Sequence, residues 1–274
     1  MEWSLLHTTR YRFSDPVLLG PHEIRLRPSG PVSGRVRDHQ LQLWPRPQVG
    51  HWRQDLWNNW VYQAWFAQSV SQLTVANRFR YRPKAGNPFD FVVDKTALNY
   101  PPAWDEALEC SLRPYLEVRE EFEEWLLPWR LFPGTSLALA IDVNRKVNQS
   151  IGYEVRLETG VQSAGQTLSR SLGSCRDTAW LVVLSLRALG YPARFVSGYW
   201  FQVDSRAAEL HAWAEVYLPG AGWLGLDPTA GLLAGQQHVA LARAPSPDQV
   251  PPIAGSHAGA TADCEFRVRV RRIS

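Results

Sequence analysis

The chain has 274 residues, 45% of them hydrophobic, and carries 29 Lys and Arg against 26 Asp and Glu for a net charge of +3. That is enough apolar material for one large domain or two modest ones, and so small an excess of charge makes no overall electrostatic case for nucleic acid. Cys110, Cys175 and Cys264 are odd in number, widely spaced and without a Cys-x-x-Cys pair, which argues against zinc and against a disulfide framework. Residues 1–10 lack the basic start and long apolar run of a signal peptide, and no stretch matches a membrane helix. A cytoplasmic protein without membrane contact, metal or cofactor is the expectation.

Residues 1–97 read as a β-rich domain of short alternating segments broken by Pro and Gly, notably His7 to Phe13, Glu23 to Arg27, Gln40 to Trp44 and Asn59 to Phe66. Together they predict a small antiparallel β-sandwich. Arginine alternations recur at Arg25-Leu26-Arg27, Arg35-Val36-Arg37, Arg80-Tyr81-Arg82 and Arg267 to Arg272. Each reads first as a strand with one solvated face; a basic surface for an acidic peptide or another anionic partner is the alternative.

Asn99-Tyr-Pro-Pro-Ala103 marks a boundary, so residues 98–274 form a second unit. Trp104 to Trp125 has helical spacing, with Tyr115, Val118, Phe122 and Trp125 on one face and a glutamate-rich opposite side. After Pro133-Gly134 a second helix runs over Thr135 to Ser150, capped by Thr135 or Ser136. Tyr153 to Leu157 reads as a short strand, Gln162 to Thr167 as a polar loop, and Glu265 to Val270 as a last strand added to the N-terminal sheet.

Cys175 stands at the mouth of an apolar stretch that ends at Leu189, with Gly190 suited to the C′ position and Pro192 barring continuation. Ser174 and Asp177 fit a capping box, the better reading of Asp177 than a second acid. A thiol on a first helical turn meets unpaired N–H groups that favour thiolate; a small core hydrophobe is the plain alternative. Downstream, His211 to Tyr217 alternates with period two, and Trp223 to Asp227 returns after the turn residues Leu218 to Gly222. Folding the hairpin about Pro219 sets His211 opposite Asp227, Trp213 opposite Gly225 and Glu215 opposite Trp223. His211 and Asp227 then share a face within cross-strand reach, and Trp213 and Trp223 flank the imidazole as walls of a substrate site. His238 is a further base candidate by type, with a structural role as the simpler reading.

Four motifs carry a family resemblance: Gly173-Ser-Cys175-Arg-Asp177, Arg187-Ala-Leu-Gly-Tyr-Pro-Ala-Arg194, His211-Ala-Trp-Ala-Glu215-Val-Tyr and Gly222-Trp-Leu-Gly-Leu-Asp227-Pro-Thr229. Their order resembles the bacterial transglutaminase-like proteins of the papain-like superfamily. Thr9 to Val17, Ile24 to Pro28 and Leu41 to Pro45 resemble the β-rich N-terminal region of that group. Asp55-Leu-Trp-Asn58-Asn59 matches its Asp-x-x-Gly-Asn turn with Asn58 for Gly, a residue that tolerates left-handed backbone. His238 to Arg243 and Asp248 to Gly255 follow the group's pattern; Ala244-Pro-Ser-Pro247 departs from it.

The resemblance implies an α+β fold: a central Cys-bearing helix packed on an antiparallel sheet, preceded by the β-sandwich domain. It also implies Cys175 as nucleophile, His211 as general base and acid, and Asp227 as the residue that orients His211. The chemistry would be acyl transfer on amide bonds of a protein or peptide substrate through a thioester, with hydrolysis favoured. Transamidation of protein glutamine, action on small amides, or an interaction module that retains the fold are the rivals. The Cys175 N–H serves as one oxyanion donor; Gln149, Tyr153 and Gln166 stand unranked for the second. No acidic cluster suited to calcium is present, and the sequence leaves the oligomeric state open.

Overall fold

The computed structural model describes residues 2–29, 34–100, 104–118, 120–156, 158–202 and 207–273. The N-terminal region supplies strands β1 (Trp3–Val17), β2 (His22–Ile24), β3 (Gly34–Trp44), β4 (Val49–Gln54), β5 (Trp60–Trp65) and β6 (Val70–Pro83). Helices α1 (Glu106–Leu112), α2 (Glu123–Leu126) and α3 (Ser136–Ser150) follow, then β7 (Gly152–Tyr153), α4 (Ala164–Arg170), β8 (Leu172–Gly173) and α5 (Cys175–Ala188). Strands β9 (Ala193–Gln202), β10 (Ala207–Leu218), β11 (Gly222–Asp227), β12 (Leu232–Leu233) and β13 (His238–Ala244) form the core sheet, in the order β12-β11-β10-β9-β13. Strands β14 (Ile253–Ala254) and β15 (Ala262–Arg272) end the chain. The fold is α+β, and among the described residues no helix is long and apolar enough to cross a membrane.

The N-terminal strands make two sheets, and the C-terminus completes both. One is ordered β15-β1-β6-β3 and the other β14-β2-β5-β4. The pairing of β15 with β1 runs antiparallel from Trp3↔Arg272 to Phe13↔Ala262. The last two strands thus cross back to the N-terminal sheets. The inner face of β1 and β6 (Leu5, Val75, Phe79, Tyr81) shares one apolar core with Ile24 and Ala64 of the second sheet and with Tyr199, Phe201, Val239 and Leu241 of the core sheet. Buried His7 donates or accepts across this seam at 2.8 Å from the Tyr199 hydroxyl, and burial pushes its imidazole down to about 4.

Helix α5 is apolar on nearly every side and lies at the centre of the second core, with Leu181, Val182, Val183 and Leu186 fully buried against α3 and against Ala214, Val216 and Leu226. Full burial of such side chains is worth roughly 1.5–3 kcal/mol each. The helix ends as the sequence implies, with Gly190 at φ +86°. Helix α3 has the expected cap, Thr135 Oγ1 accepting from the Ala138 N–H.

Three local expectations are corrected. Trp104 to Trp125 is not one helix: Pro114 ends α1 in a 3-10 turn over Arg113–Tyr115, and helix resumes only at Glu123. The polar stretch Gln162 to Thr167 opens α4, because Ser163 and Gln166 form a capping box that outweighs the Gly/Ser composition. The strand expected over 153–157 is only Gly152–Tyr153, paired in parallel with Leu172–Gly173; Leu157, like residues 101–103 of the expected boundary, lies outside the described residues.

Candidate active site

Cys175 opens α5 directly after the cap residue Ser174. Fully buried Asp177 anchors this end: its carboxylate accepts from the Ser174 N–H at 2.9 Å, the Ser174 hydroxyl at 2.8 Å, the Gln162 N–H at 2.7 Å and Arg156 Nε at 3.0 Å. Burial pushes the Asp177 carboxyl up, but these bonds prevail and hold it below the ordinary carboxylate range. Asp177 is thus a cap and an anchor for the 156–162 segment. Cys175 is half-buried, while Cys110 and Cys264 are exposed and outside this site.

The hairpin register differs from the sequence expectation by two residues. Leu218 pairs with Gly222, Tyr217 with Trp223 and Glu215 with Gly225. The turn is centred on Gly220, not Pro219, because Gly220 and Gly222 take the left-handed backbone at φ +83° and +73°. A two-residue shift keeps every side chain on its face, whereas a single-residue slip would reverse them. His211 and Asp227 are therefore diagonal neighbours rather than opposed ones, and imidazole length spans the diagonal. His211 Nε2 donates to Asp227 Oδ2 at 2.9 Å.

His211 is buried and meets Cys175 as well as Asp227. Burial lowers its basicity; hydrogen bonding to Asp227 and Cys175 and their negative charge outweigh this and lift the imidazole to about 10. Asp227 is fully buried. Burial raises its carboxyl, but bonds from two imidazoles depress it well below the ordinary carboxylate range. The other oxygen, Oδ1, accepts from the Thr229 N–H at 2.9 Å and the Ala230 N–H at 3.3 Å.

The second imidazole is His238, the base candidate with the simpler structural reading. Its Nε2 lies 2.9 Å from the same Asp227 Oδ2, and its Nδ1 accepts from the Gly235 N–H at 3.2 Å. With Nδ1 an acceptor, Nε2 must carry the proton, so His238 donates to Asp227. His211, Asp227 and His238 are also a donor set with the spacing of a metal site. The hydrogen bonding argues against that use, since a metal on His238 Nε2 would displace the proton that Asp227 accepts.

Aromatic side chains close around the imidazoles. Trp213, expected beside His211, stacks near it at 6.4 Å and meets His238 edge-on at 5.1 Å. Trp200, which strand periodicity alone did not single out, tilts over His211 at 5.2 Å. Trp223, the other expected wall, is carried to the far end of the hairpin by the register and packs on Tyr217, Tyr115 and the Arg194 guanidinium. It does not join the imidazole cluster. Gly198 makes room for Trp213: a Cβ there would fall 2.5 Å from the indole and 2.5 Å from the Val239 carbonyl oxygen.

Of the three candidate oxyanion donors, Gln166 is engaged in the α4 capping box through its Oε1. Tyr153 is within electrostatic reach of Cys175; burial, then Cys175 and Glu209, raise its phenol, so it stays a proton donor at neutral pH. The N-terminal region also reaches this side. Asn58 turns at φ +61° as the Asp-x-x-Gly-Asn pattern requires, and Asn59 brackets Arg243, accepting its N–H at 2.8 Å and donating to its carbonyl at 2.8 Å. Trp57 of the same turn and Cys175 pack against one small cluster that includes Phe195, Ala212 and Ala242.

Comparisons with known proteins agree with this architecture. Residues 133–228 match the model of the transglutaminase-like superfamily core, and residues 4–81 match the bacterial transglutaminase-like N-terminal region. An uncharacterized protein of Mycobacterium leprae is 31% identical, over 98% of this chain and 98% of its own. A crystal structure from Cytophaga hutchinsonii, provisionally described as a cysteine protease, superposes with a TM-score of 0.73 at 16% identity, covering 97% of this chain and 90% of the other. A protein-glutamine gamma-glutamyltransferase of Pseudomonas aeruginosa is 38% identical over 65 residues, 21% of this chain and 10% of that protein.

Proposed function

Because this chain belongs to the transglutaminase-like superfamily, we propose that it is a thiol-dependent acyl-transfer enzyme acting on amide bonds of a protein or peptide, with water as the acceptor. The observation that carries this reading is His211 held between Asp227 and Cys175 with its imidazole lifted to about 10. An imidazolium beside the sulfur favours thiolate and holds the proton that the leaving amine needs. Cys175 Sγ attacks the amide carbon, and the oxyanion is met by the Cys175 N–H at the helix start and by the Tyr153 hydroxyl. As the C–N bond breaks, His211 gives its proton to the amine and a thioester remains. His211 then takes a proton from water as the water attacks the thioester, and the acid and free thiolate are released.

Water is favoured because it is the acceptor in vast excess unless a site excludes it, and Tyr153, within electrostatic reach of Cys175, is 55% exposed. The name of the Pseudomonas relative supports a second reading, in which an amine takes the acyl group; the triad steps are identical. Incubation with a peptide library, followed by intact mass measurement, tests both. A Cys175-linked acyl adduct that turns over in water without added amine supports hydrolysis, and turnover only with added amine favours transamidation. No adduct, together with iodoacetamide labelling of Cys175 no faster than of Cys110 and Cys264, would leave a non-catalytic module.

A further inference from the structure

Three of the four arginine alternations, far apart in the chain, meet on one surface. Arg25 is the exception, buried and paired with Glu23. In the sheet β15-β1-β6-β3, directly opposed residues share a face. On the face opposite Leu5, Phe79 and Tyr81, one row reads Arg271, Ser4, Arg80, Arg37 across all four strands, and the next reads Arg269, Leu6, Arg78, Gln40. Arg35 stands opposite Arg82 in the same manner. Like charges placed directly opposite each other destabilise a sheet, so folding alone gives no reason for these pairs. Asp38 answers Arg80 at 3.3 Å, and Glu265 lies 3.7 Å from both Arg12 and Arg267. Among the described residues, Arg35, Arg37, Arg78, Arg82, Arg269 and Arg271 have no carboxylate within ion-pair distance.

The face is hollowed. A trough of about 530 Å³ runs over β1, β6 and β3, and another of about 420 Å³ over β1 and β15; Arg10 lines both. Arg10 Nε is buried there without a hydrogen-bond partner. The walls add Gln40, Gln42, Gln72 and Thr74, side chains that can bond to peptide groups.

We propose that this arginine face docks an extended acidic segment of a protein partner, at a surface separate from the Cys175 site. The spacing fits such a chain. Arginines two apart on a strand lie roughly 6.6 Å apart, the same interval as alternate carboxylates on an extended peptide. A nucleic-acid strand would want a run of stacking platforms, and the two troughs offer one aromatic each, Trp44 and Phe266.

The test is binding of fluorescent poly-L-glutamate to the full chain, followed by anisotropy. Saturable binding that weakens with salt, and falls about tenfold or more in the double variant Arg78→Gln/Arg269→Gln, is expected. The glutamines keep chain length and solubility, and an unchanged thermal melt and an unchanged rate of Cys175 alkylation confirm that the variant is folded. Absence of binding, or binding that the double variant leaves intact, overturns the proposal. So does tighter binding of a single-stranded oligonucleotide or of anionic vesicles through the same arginines. Self-association of the wild type at low salt, abolished by the double variant, would make the occupant a second copy through its acidic 105–124 segment and would equally overturn it. None of these outcomes depends on whether Cys175 is catalytic.

Discussion

At the scale of single residues, the organising group is the Asp227 carboxylate. It accepts both imidazoles on one oxygen and two backbone N–H groups on the other, and this makes it a fixed anion beside His211. The sign of the pH dependence follows. His211 is lifted from 6.5 to about 10, so its contribution to stability is fully present below 6.5 and is lost as pH rises through about 10. Asp227 is depressed, so its contribution is present above the ordinary carboxylate range near ~4 and is lost as pH falls below it. The His211 ring signals in NMR should titrate near 10, and Asp227→Asn should bring the midpoint back toward 6.5; a wild-type midpoint near 6.5 would contradict the arrangement. His238→Leu removes one donor from Asp227. A carboxylate with one donor fewer is a stronger partner for the remaining imidazolium, so the His211 midpoint should hold or rise in this variant, opposite in sign to Asp227→Asn; a fall as large as that of Asp227→Asn would show that His238 is needed to keep Asp227 in place. Cys175 and Asp177 were legible as a helix start in sequence, since capping is a local affair. The service of His238 to Asp227 was not, because β13 reaches the hairpin only through β9.

At the scale of elements, the β10–β11 hairpin is held by a buried ionic cluster at the end that carries Trp223. Glu215 accepts from Arg194 at 2.6–2.7 Å and from Arg243 at 3.2 Å, and Arg243 also donates to the Ser29 carbonyl at 2.8 Å. Removing the carboxylate charge leaves two buried guanidinium groups poorly compensated. Glu215→Gln should cost about 3–5 kcal/mol in denaturant unfolding. Glu123→Gln, which loosens the exposed pair with Arg130, should shift the unfolding midpoint far less, because solvent screens that pair; equal effects would show that the buried cluster is not a structural joint. The strands of this hairpin were readable from their alternation, but their register was not. Turn composition marked Leu218 to Gly222 as a loop, and only the placement of left-handed backbone at Gly220 and Gly222 decided which residues oppose.

At the scale of the whole molecule, the N-terminal sheets and the core sheet are one hydrophobic assembly. Tyr199, Phe201, Val239 and Leu241 are buried against β1, β6 and their neighbours, and β15 completes the N-terminal sheet from the other end of the chain. Residues 98–274 expressed alone should therefore expose that apolar face, bind a hydrophobic dye and melt without a cooperative transition. A sharp melt with native Cys175 alkylation would show that the core needs no N-terminal partner. Local rules suffice for the Cys175 helix and its caps, the His211 and Asp227 strands and their shared face, the Asn58 turn and the β-rich start. Periodicity, capping and left-handed tolerance are properties of neighbours in the chain. Tertiary structure alone decided the two-residue register, the removal of Trp223 from the imidazoles, the place of His238 and Trp200 beside them, and the meeting of distant arginines on one sheet face. Each of these depends on contacts between segments that the chain itself keeps apart, and no local pattern encodes which strand will lie beside which.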